Sequence, residues 1–477
     1  MLIFKRDLIL LVILSTSIVL GSDVLGIKNA KPNIIIILAD DMGYGDCGVY
    51  NPESKIKNPH IDQLAKEGLR FMDAHAASST CTPSRYGLLT GVDPSRTGVL
   101  NTLLKRGAPI IAEDETTIAT LLKDQGYITK MIGKWHLGFD MDTSGKKPVF
   151  DFSKPLTGGP MDRGFDSFFG IHSSIGSSPM FYIRDREAVV PPTKPVTWTQ
   201  VKSGRKSQVK VIAAEGFLFE EASPSFCKEA VETIRAHAIS TEGKPLFLYY
   251  ASSAPHQPWV PTKDFKGKSK VGLYGDFIMQ VDDVLGQINT ALKETGLDQN
   301  TILIFTSDNG AGPGAVSEMS TQGHDSSGGL RGSKASSWEG GHRIPFVLKW
   351  PSTVSANTQT NAVINFTDYF ATFADLLDVD LEQNYSGQAV DSYSFFPIIE
   401  DFSSKHTRPS MVHRLGAIRE GDWKLASGGK TLIKSKMELY NLADDIAETN
   451  DLSDVYPERR EQLFKKHQRF IKNRKLK

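Results

Sequence analysis

The sequence predicts an α/β fold: a large mixed, mostly parallel sheet flanked by helices, with a smaller antiparallel-sheet subdomain at the C-terminal end. Three observations carry this reading. The run Ile34 to Leu38 is apolar at every position and rich in β-branched residues, as a strand covered on both faces of a parallel sheet must be. Strand-like runs then alternate with helical patterns. Beyond residue 395 the alternation stops and short strand-like runs take over. A chain of 477 residues also exceeds the roughly 250–300 at which one core stops growing. We therefore expect a large domain over residues 30–380 and a C-terminal subdomain over 395–477.

Lys5 and Arg6 precede an apolar run from Leu8 to Leu20, broken only by Ser15, Thr16 and Ser17, and Gly21-Ser22 follow it. The run is short for a membrane span, which needs about 20 apolar residues. Residues 1–21 therefore read as a signal peptide, and the mature chain as an exported protein, periplasmic or secreted, or of extracellular or lysosomal type in a eukaryote. No Cys near the end of the run marks a lipoprotein, and no later run is long enough for stable membrane insertion.

The helix expected from Pro59, with Asn58 as N-cap, places Ile61, Leu64, Ala65 and Leu69 on one face and Gly68 near its end. Thr116 to Lys123 reads as a helix stopped at Gly126, followed by a strand from Tyr127 to Ile132. Further strands are expected at Leu246–Ala251, Thr301–Phe305 and Ile344–Trp350, and an amphipathic helix at Phe366–Leu377. In the C-terminal part, Met411–His413, Gly416–Arg419, Trp423–Leu425 and Met437–Tyr440 read as an antiparallel sheet. Glu458–Ile471 reads as a closing helix with Leu463, Phe470 and Ile471 inward.

Polar residues follow four of these strands: Asp40-Asp41, Lys134-Trp135-His136, Pro255-His256 and Ser307-Asp308-Asn309-Gly310. In open α/β sheets ligands bind outside the carboxyl ends of strands, so the four groups locate a site at one sheet edge. Lys plus Arg, 55, equal Asp plus Glu, 55, so no global field recruits nucleic acid or an anionic membrane, and any anion binding is local. The three cysteines, Cys47, Cys81 and Cys227, are too few for a disulfide framework. If chemistry consumes Cys81, Cys47 and Cys227 are left as the one available pair. In Cys81-Thr82-Pro83-Ser84-Arg85, the thiol precedes an expected helix with Pro83 near its first position. Unpaired backbone N–H groups and the helix dipole there favour an anion, or a reactive thiol.

Cys81-Thr82-Pro83-Ser84-Arg85 followed by Leu89-Thr90-Gly91 resembles the signature of the formylglycine-dependent sulfatases. The resemblance, closest to arylsulfatase-A-like and N-acetylgalactosamine-6-sulfatase-like enzymes, extends through Asp40-Asp41-Met42-Gly43, Gly133-Lys134-Trp135-His136, Asp308-Asn309-Gly310, Leu330–Lys334 and Glu339–Pro345. It implies an alkaline-phosphatase-like sandwich that hydrolyses sulfate esters, with a sulfated carbohydrate or aryl sulfate as substrate. It also implies that Cys81 is converted to formylglycine by a separate formylglycine-generating enzyme. Asp40, Asp41, Asp308 and Asn309 offer only oxygen donors, suited to a hard divalent ion. The resemblance implies one calcium ion, with residue 81 as a further ligand.

By the same resemblance Arg85 and Lys134 hold the formylglycine hydrate, His136 takes a proton, and His256 and Lys334 contact sulfate, one of them protonating the departing alcohol. His324 and Arg331 are expected near the substrate's sugar or aryl group. Trp338 is expected as a packed aromatic or a pocket residue, and His172, Ser173 and Ser174 in a loop lining the pocket. A phosphonate or phosphate ester hydrolase on the same fold is the nearest rival reading, and a binding protein for sulfated glycans the rival from another class. The intact Cys-x-Pro-Ser-Arg motif and the occupied catalytic positions weigh against both.

Overall fold

The computed structural model describes residues 30–101, 108–142, 144, 149–202, 205–240, 242–405, 408–428 and 431–474, and residues 32–477 form one compact unit. The expected signal peptide, residues 1–21, lies outside the described residues.

The strands follow in chain order: β1 Asn33–Ala39, β2 Leu69–His75, β3 Ile128–Lys134, β4 Ser167–Ile171, β5 Ile183–Arg184, β6 Glu187–Ala188, β7 Pro192–Lys202, β8 Arg205–Ala214, β9 Leu246–Ala251, β10 Thr301–Ser307, β11 Phe346–Lys349 and β12 Thr358–Asn365. Ten of them form one sheet in the order β12-β2-β11-β10-β1-β9-β3-β4-β5-β6. Its centre, β10-β1-β9-β3-β4, is wholly parallel. All seven residues of β1 and all six of β9 are buried, which explains their unbroken apolar sequences. The expected strand at Ile344–Trp350 is shorter, Phe346–Lys349, and runs antiparallel to both β10 and β2.

Helices Pro59–Glu67, Ala222–Ala238 and Leu273–Glu294 pack together as one group, and Cys81–Thr90, Ile118–Asp124 and Tyr369–Leu376 as another. Helix Pro59–Glu67 buries Ile61, Leu64 and Ala65, but Leu69, expected on its face, opens β2. Gly68 ends the helix early, and its close approach to the Leu348 carbonyl, only 2.2 Å from where a Cβ would stand, leaves room for no side chain.

The C-terminal sheet consists of β13 Met411–His413, β14 Ala417–Glu420, β15 Trp423–Ser427 and β16 Met437–Asn441, antiparallel throughout. Helix Pro457–Lys472 closes over it, with Leu463 buried and Phe470 packed against the same cluster. Residues Phe395, Ile398 and Ile399 still belong to the main core, so the second sheet begins only at Met411. Strands β7 and β8 form a separate two-stranded hairpin that the sequence reading did not anticipate.

Candidate active site

The carboxyl ends of four adjacent parallel strands meet at one edge. Asp40 and Asp41 follow β1, Asp308 and Asn309 follow β10, Lys134 ends β3, and His256 lies beyond β9. Three backbone features shape this edge. Asp41 and His136 take left-handed conformations at φ 70° and 61°. Gly133, at φ 107°, brings β3 so close to β9 that a Cβ would stand 1.9 Å from the Ala251 carbonyl oxygen.

Cys81 arrives from a different direction, as the first residue of helix Cys81–Thr90, so Pro83 sits in the third position rather than near the first. Its thiol lies 3.1 Å from Lys334 Nζ and 3.8 Å from Asp41 Oδ1. Lys334 is carried there by a loop whose backbone is held on both sides: Lys334 N–H donates to Ala311 O, and Ala335 N–H to Ser79 O. The same ammonium donates to Asp41 Oδ1.

Beside Cys81, charges alternate. Lys134 Nζ donates to both oxygens of Asp40, at 2.9 and 2.7 Å. Arg85 donates through Nε and NH2 to Asp308 Oδ2, at 3.0 and 2.8 Å, and through NH1 to the Lys134 carbonyl. All four side chains are fully buried. Three carboxylates, Asp40, Asp41 and Asp308, thus face three cations, as buried charge requires.

Burial pushes Asp40 up, yet Lys134, His256, Arg85 and Lys334 outweigh it and hold the carboxyl far below the usual range. For Asp308 the balance reverses: burial, then the neighbouring Asp40, push it up to about 6 despite Arg85. Burial pushes the Cys81 thiol up to about 12 against the pull of Lys134 and Lys334. Burial thus disfavours the thiolate, which weighs against a reactive unmodified thiol. Burial, then Lys134 and Arg85, hold His136 well below the usual imidazole range, so it is neutral, and its buried Nδ1 has no partner among the described residues. His256 is also pushed down by burial; its Nδ1 bonds the Gln257 carbonyl at 2.6 Å and its Nε2 lies 3.8 Å from Asp41 Oδ2.

One donor set fits a hard cation. Ligand atoms of Asp40, Asp41, Cys81 and Asp308 lie within 4.8 Å of one another, and Asn309 Oδ1 is a buried acceptor without a partner beside them. Carboxylates crowded enough to raise one of them, plus an orphaned amide oxygen, are what a divalent ion with oxygen preference would relieve.

Above the cluster opens a cavity of about 1040 Å³, lined by Asp41, Cys81, His136, His256 and Lys334. Its walls carry Phe150, Phe152 and Trp259, and His172, Ser173 and Ser174 line it as the sequence led us to expect. Two of the expected residues stand apart from the cavity lining. His324 is buried away from the cavity, bonded to Asp46 Oδ1 at 2.9 Å and to the Lys55 N–H, where it braces the loop after β1. Arg331 turns towards the C-terminal sheet, reaching Glu438, Tyr440 and the Glu448 carbonyl and stacking 3.7 Å over the Trp338 ring. Trp338 is thereby the packed aromatic of the two alternatives. Of the cavity residues the sequence reading missed, Trp259 carried a signal, since it stands in the Pro255–Trp259 loop with His256. Phe150, Phe152 and Tyr274 carried none. Cys47, Cys81 and Cys227 are all free and buried.

Parallel strand ends thus assemble a buried oxygen cluster beneath a helix-borne Cys81, at the floor of one cavity. The chain matches the family model described as Sulfatase over residues 32–379. It is 33% identical to the N-acetylgalactosamine-6-O-sulfatase of Bacteroides thetaiotaomicron, over 91% of this chain and 92% of that one. It is also 33% identical to human N-acetylgalactosamine-6-sulfatase, over 77% of this chain and 66% of that one. A solved Bacteroides thetaiotaomicron structure from work on the metabolism of multiple glycosaminoglycans superposes with a TM-score of 0.81 at 30% identity, covering 93% of this chain and 99% of that one. The chain belongs to the sulfatase family, with an alkaline-phosphatase-like fold, and is a sulfuric ester hydrolase.

Proposed function

We propose that the protein hydrolyses the sulfate ester of a sulfated sugar through a formylglycine made from Cys81, with calcium held by Asp40, Asp41, Asp308 and Asn309. The observation that carries this reading is the placement of Cys81 at a helix start, 3.1 Å from Lys334 Nζ, at the floor of a cavity and against an all-oxygen cluster. Cys81 Sγ stands where the formylglycine oxygens would be. A maturing enzyme replaces the CH2–SH of Cys81 by CHO in a two-electron oxidation that draws on an external oxidant such as dioxygen, the sulfur leaving as sulfide. The hydrated aldehyde then supplies one hydroxyl to attack sulfur and a second whose deprotonation rebuilds the carbonyl and expels sulfate. Bound calcium supplies charge stabilisation for the sulfate oxygens.

The chain's own residues do the rest. Lys134 and Arg85, fixed by Asp40 and Asp308, hold the modified residue in one orientation. His136, neutral and with an unpartnered nitrogen, accepts the proton that starts sulfate release. His256 and Lys334 face the cavity from opposite sides of Asp41, one binding sulfate and the other protonating the departing alcohol. The cavity volume suits a sugar-sized ligand, and Phe150, Phe152 and Trp259 offer aromatic faces to a pyranose ring. The N-acetylgalactosamine-6-sulfatase relatives, and a neighbour solved with a neocarrahexaose at 25% identity and a TM-score of 0.71, support a carbohydrate substrate. Export by residues 1–21 suits such a substrate. Among the described residues no helix is long and apolar enough to cross a membrane.

The test is a panel of 4-nitrophenyl sulfate, N-acetylgalactosamine 6-sulfate, and phosphate and phosphonate monoesters, given to matured protein. Sulfate release, with the sugar ester preferred, is the expected result. Preference for phosphorus esters, or binding without turnover, would sink the proposal.

A further inference from the structure

The hairpin β7–β8 takes no part in the chemistry above, yet it stands at the mouth of the cavity. Pro192 and Ile212 at its base and Gln200 further along contribute to the cavity lining. Its base is tied down by paired backbone bonds, Met180 N–H to Ile212 O and Ala214 N–H to Met180 O, and Trp198 Nε1 donates to Gly176 O. The ribbon lies outside both larger sheets, with Val196, Trp198 and Val209 of one face packed against the main core and Lys206, Gln208 and Lys210 of the other exposed.

Its sequence is one-sided in charge. From Pro191 to Ala214 it carries Lys194, Lys202, Arg205, Lys206 and Lys210 and no acidic residue, in a chain whose total charge is zero. Lys194 is matched by Glu215, at 3.6 Å. Arg205, Lys206 and Lys210 are exposed and have no carboxylate partner among the described residues. The pairing register sets out the rest. Thr197 opposes Lys210, Thr199 opposes Gln208, and Val201 opposes Lys206, so Lys206, Gln208, Lys210 and Ile212 share one face with Thr197 and Thr199. On that face, which also carries Ile212 of the cavity lining, Lys206 and Lys210 stand about 13 Å apart at the usual rise per residue. Arg205 and Ser207 lie on the other face, where Ser207 opposes Gln200 of the cavity lining.

Cations interleaved with hydroxyls and an amide, on a ribbon whose Pro192, Gln200 and Ile212 line the cavity, complement a hydroxylated polyanion. We infer that the β7–β8 hairpin is a docking arm for an extended anionic glycan, binding the chain beyond the residue whose sulfate is removed. The inference rests on the proposed action on sulfated sugars, but it makes a separate claim, that the protein acts on a polymer rather than on an isolated monosaccharide. Lysines on an exposed edge also guard ribbons against pairing with other chains. That role alone requires no affinity for polyanions.

The experiment measures binding of fluorescent dextran sulfate and of neutral dextran to a Cys81→Ala background, with and without Arg205→Gln/Lys206→Gln/Lys210→Gln, across a salt series. We expect dextran sulfate alone to bind, with log Kd linear in log salt. The triple substitution should weaken binding about tenfold or more and reduce the slope by up to roughly one per cation removed. In matured protein with Cys81 intact, the same triple substitution should raise KM for a sulfated oligosaccharide while leaving 4-nitrophenyl sulfate turnover unchanged. Undiminished dextran sulfate binding, aggregation as the only effect, or an equal loss on the small and the polymeric substrate would each overturn the inference. A protein that binds dextran sulfate through the hairpin but hydrolyses no sulfate ester would contradict the proposed function and not the docking arm.

Discussion

Replacing Lys424 by Met tests how the C-terminal sheet is joined to the loop that carries Lys334. Lys424 lies on β15, fully buried, with Nζ 2.9 Å from Glu339 Oε1, 2.8 Å from Glu448 Oε1 and 3.3 Å from His342 Nε2. Glu448 in turn accepts the Glu339 N–H at 2.8 Å. Burial pushes Glu339 up, but Lys424 leads a set of cations and histidines that brings it well below the usual carboxylate range. Burial raises Glu448. Met keeps the length of the side chain and removes the charge, so Glu339 is left with Arg343 alone, at 3.1 Å, and Glu448 with no ammonium. Breaking a buried pair from one side costs about 3–5 kcal/mol. Because Glu448 is already raised, it relieves part of the cost by taking up a proton, which places the expected loss near the lower limit, about 3 kcal/mol at neutral pH. Guanidinium unfolding followed by tryptophan fluorescence measures it as a shifted midpoint at unchanged slope. The double variant Lys424→Met/Glu448→Gln should recover about 1 kcal/mol or more, since the stranded charge is then gone. A loss below about 1 kcal/mol, or no recovery in the double variant, would refute the reasoning.

Acid should act through His467, which burial pushes from 6.5 down to about 4. The unfolded chain then binds more protons than the folded one between these values, so stability present above pH 6.5 is lost on falling towards pH 4. In His467→Leu the loss between pH 7 and pH 4 should shrink by about 3 kcal/mol, read from urea midpoints at each pH. Arg331→Ala should leave kcat and KM for 4-nitrophenyl sulfate unchanged, because Arg331 binds the C-terminal sheet, while lowering stability by about 1 kcal/mol through the lost ring contact; an altered KM would return it to the pocket. Calcium added to chelator-treated protein should raise Tm saturably, and Asn309→Ala should reduce that rise. A thermal shift unaffected by Asn309→Ala would mean that the ion sits elsewhere.

Much of this architecture was legible in the sequence because local and global signals agree there. β1 and β9 are apolar throughout because both faces are covered, and the helix expected over Thr116–Lys123 forms over Ile118–Asp124, starting later because the Thr117 side chain caps it, with Gly126 as the left-handed stop. Polar residues after strands pointed to the sheet edge where Asp40, Lys134, His256 and Asp308 stand, since parallel strands deliver their ends to one side. Pairing direction was hidden. Nothing in Phe346–Lys349 distinguishes an antiparallel strand inserted between β10 and β2 from a further parallel one. The hairpin β7–β8 escaped because its strands bury little: Val196, Trp198 and Val209 alternate with exposed neighbours but are themselves only half-buried. His324 and Arg331 stand apart from the cavity lining for a different reason: they lie close in sequence to Lys334, but a loop of close turns sends adjacent side chains to different sides. Lys334 reaches Cys81 while Arg331 faces Tyr440.

The central claim is that Cys81 becomes the nucleophile's precursor, and the mass of the proteolytic peptide containing it, from protein made in its native host, tests that most directly. A peptide about 18 Da lighter than the thiol form, the difference between CH2–SH and CHO, is the result the account predicts. A fully unmodified thiol in protein that still hydrolyses sulfate esters would contradict it.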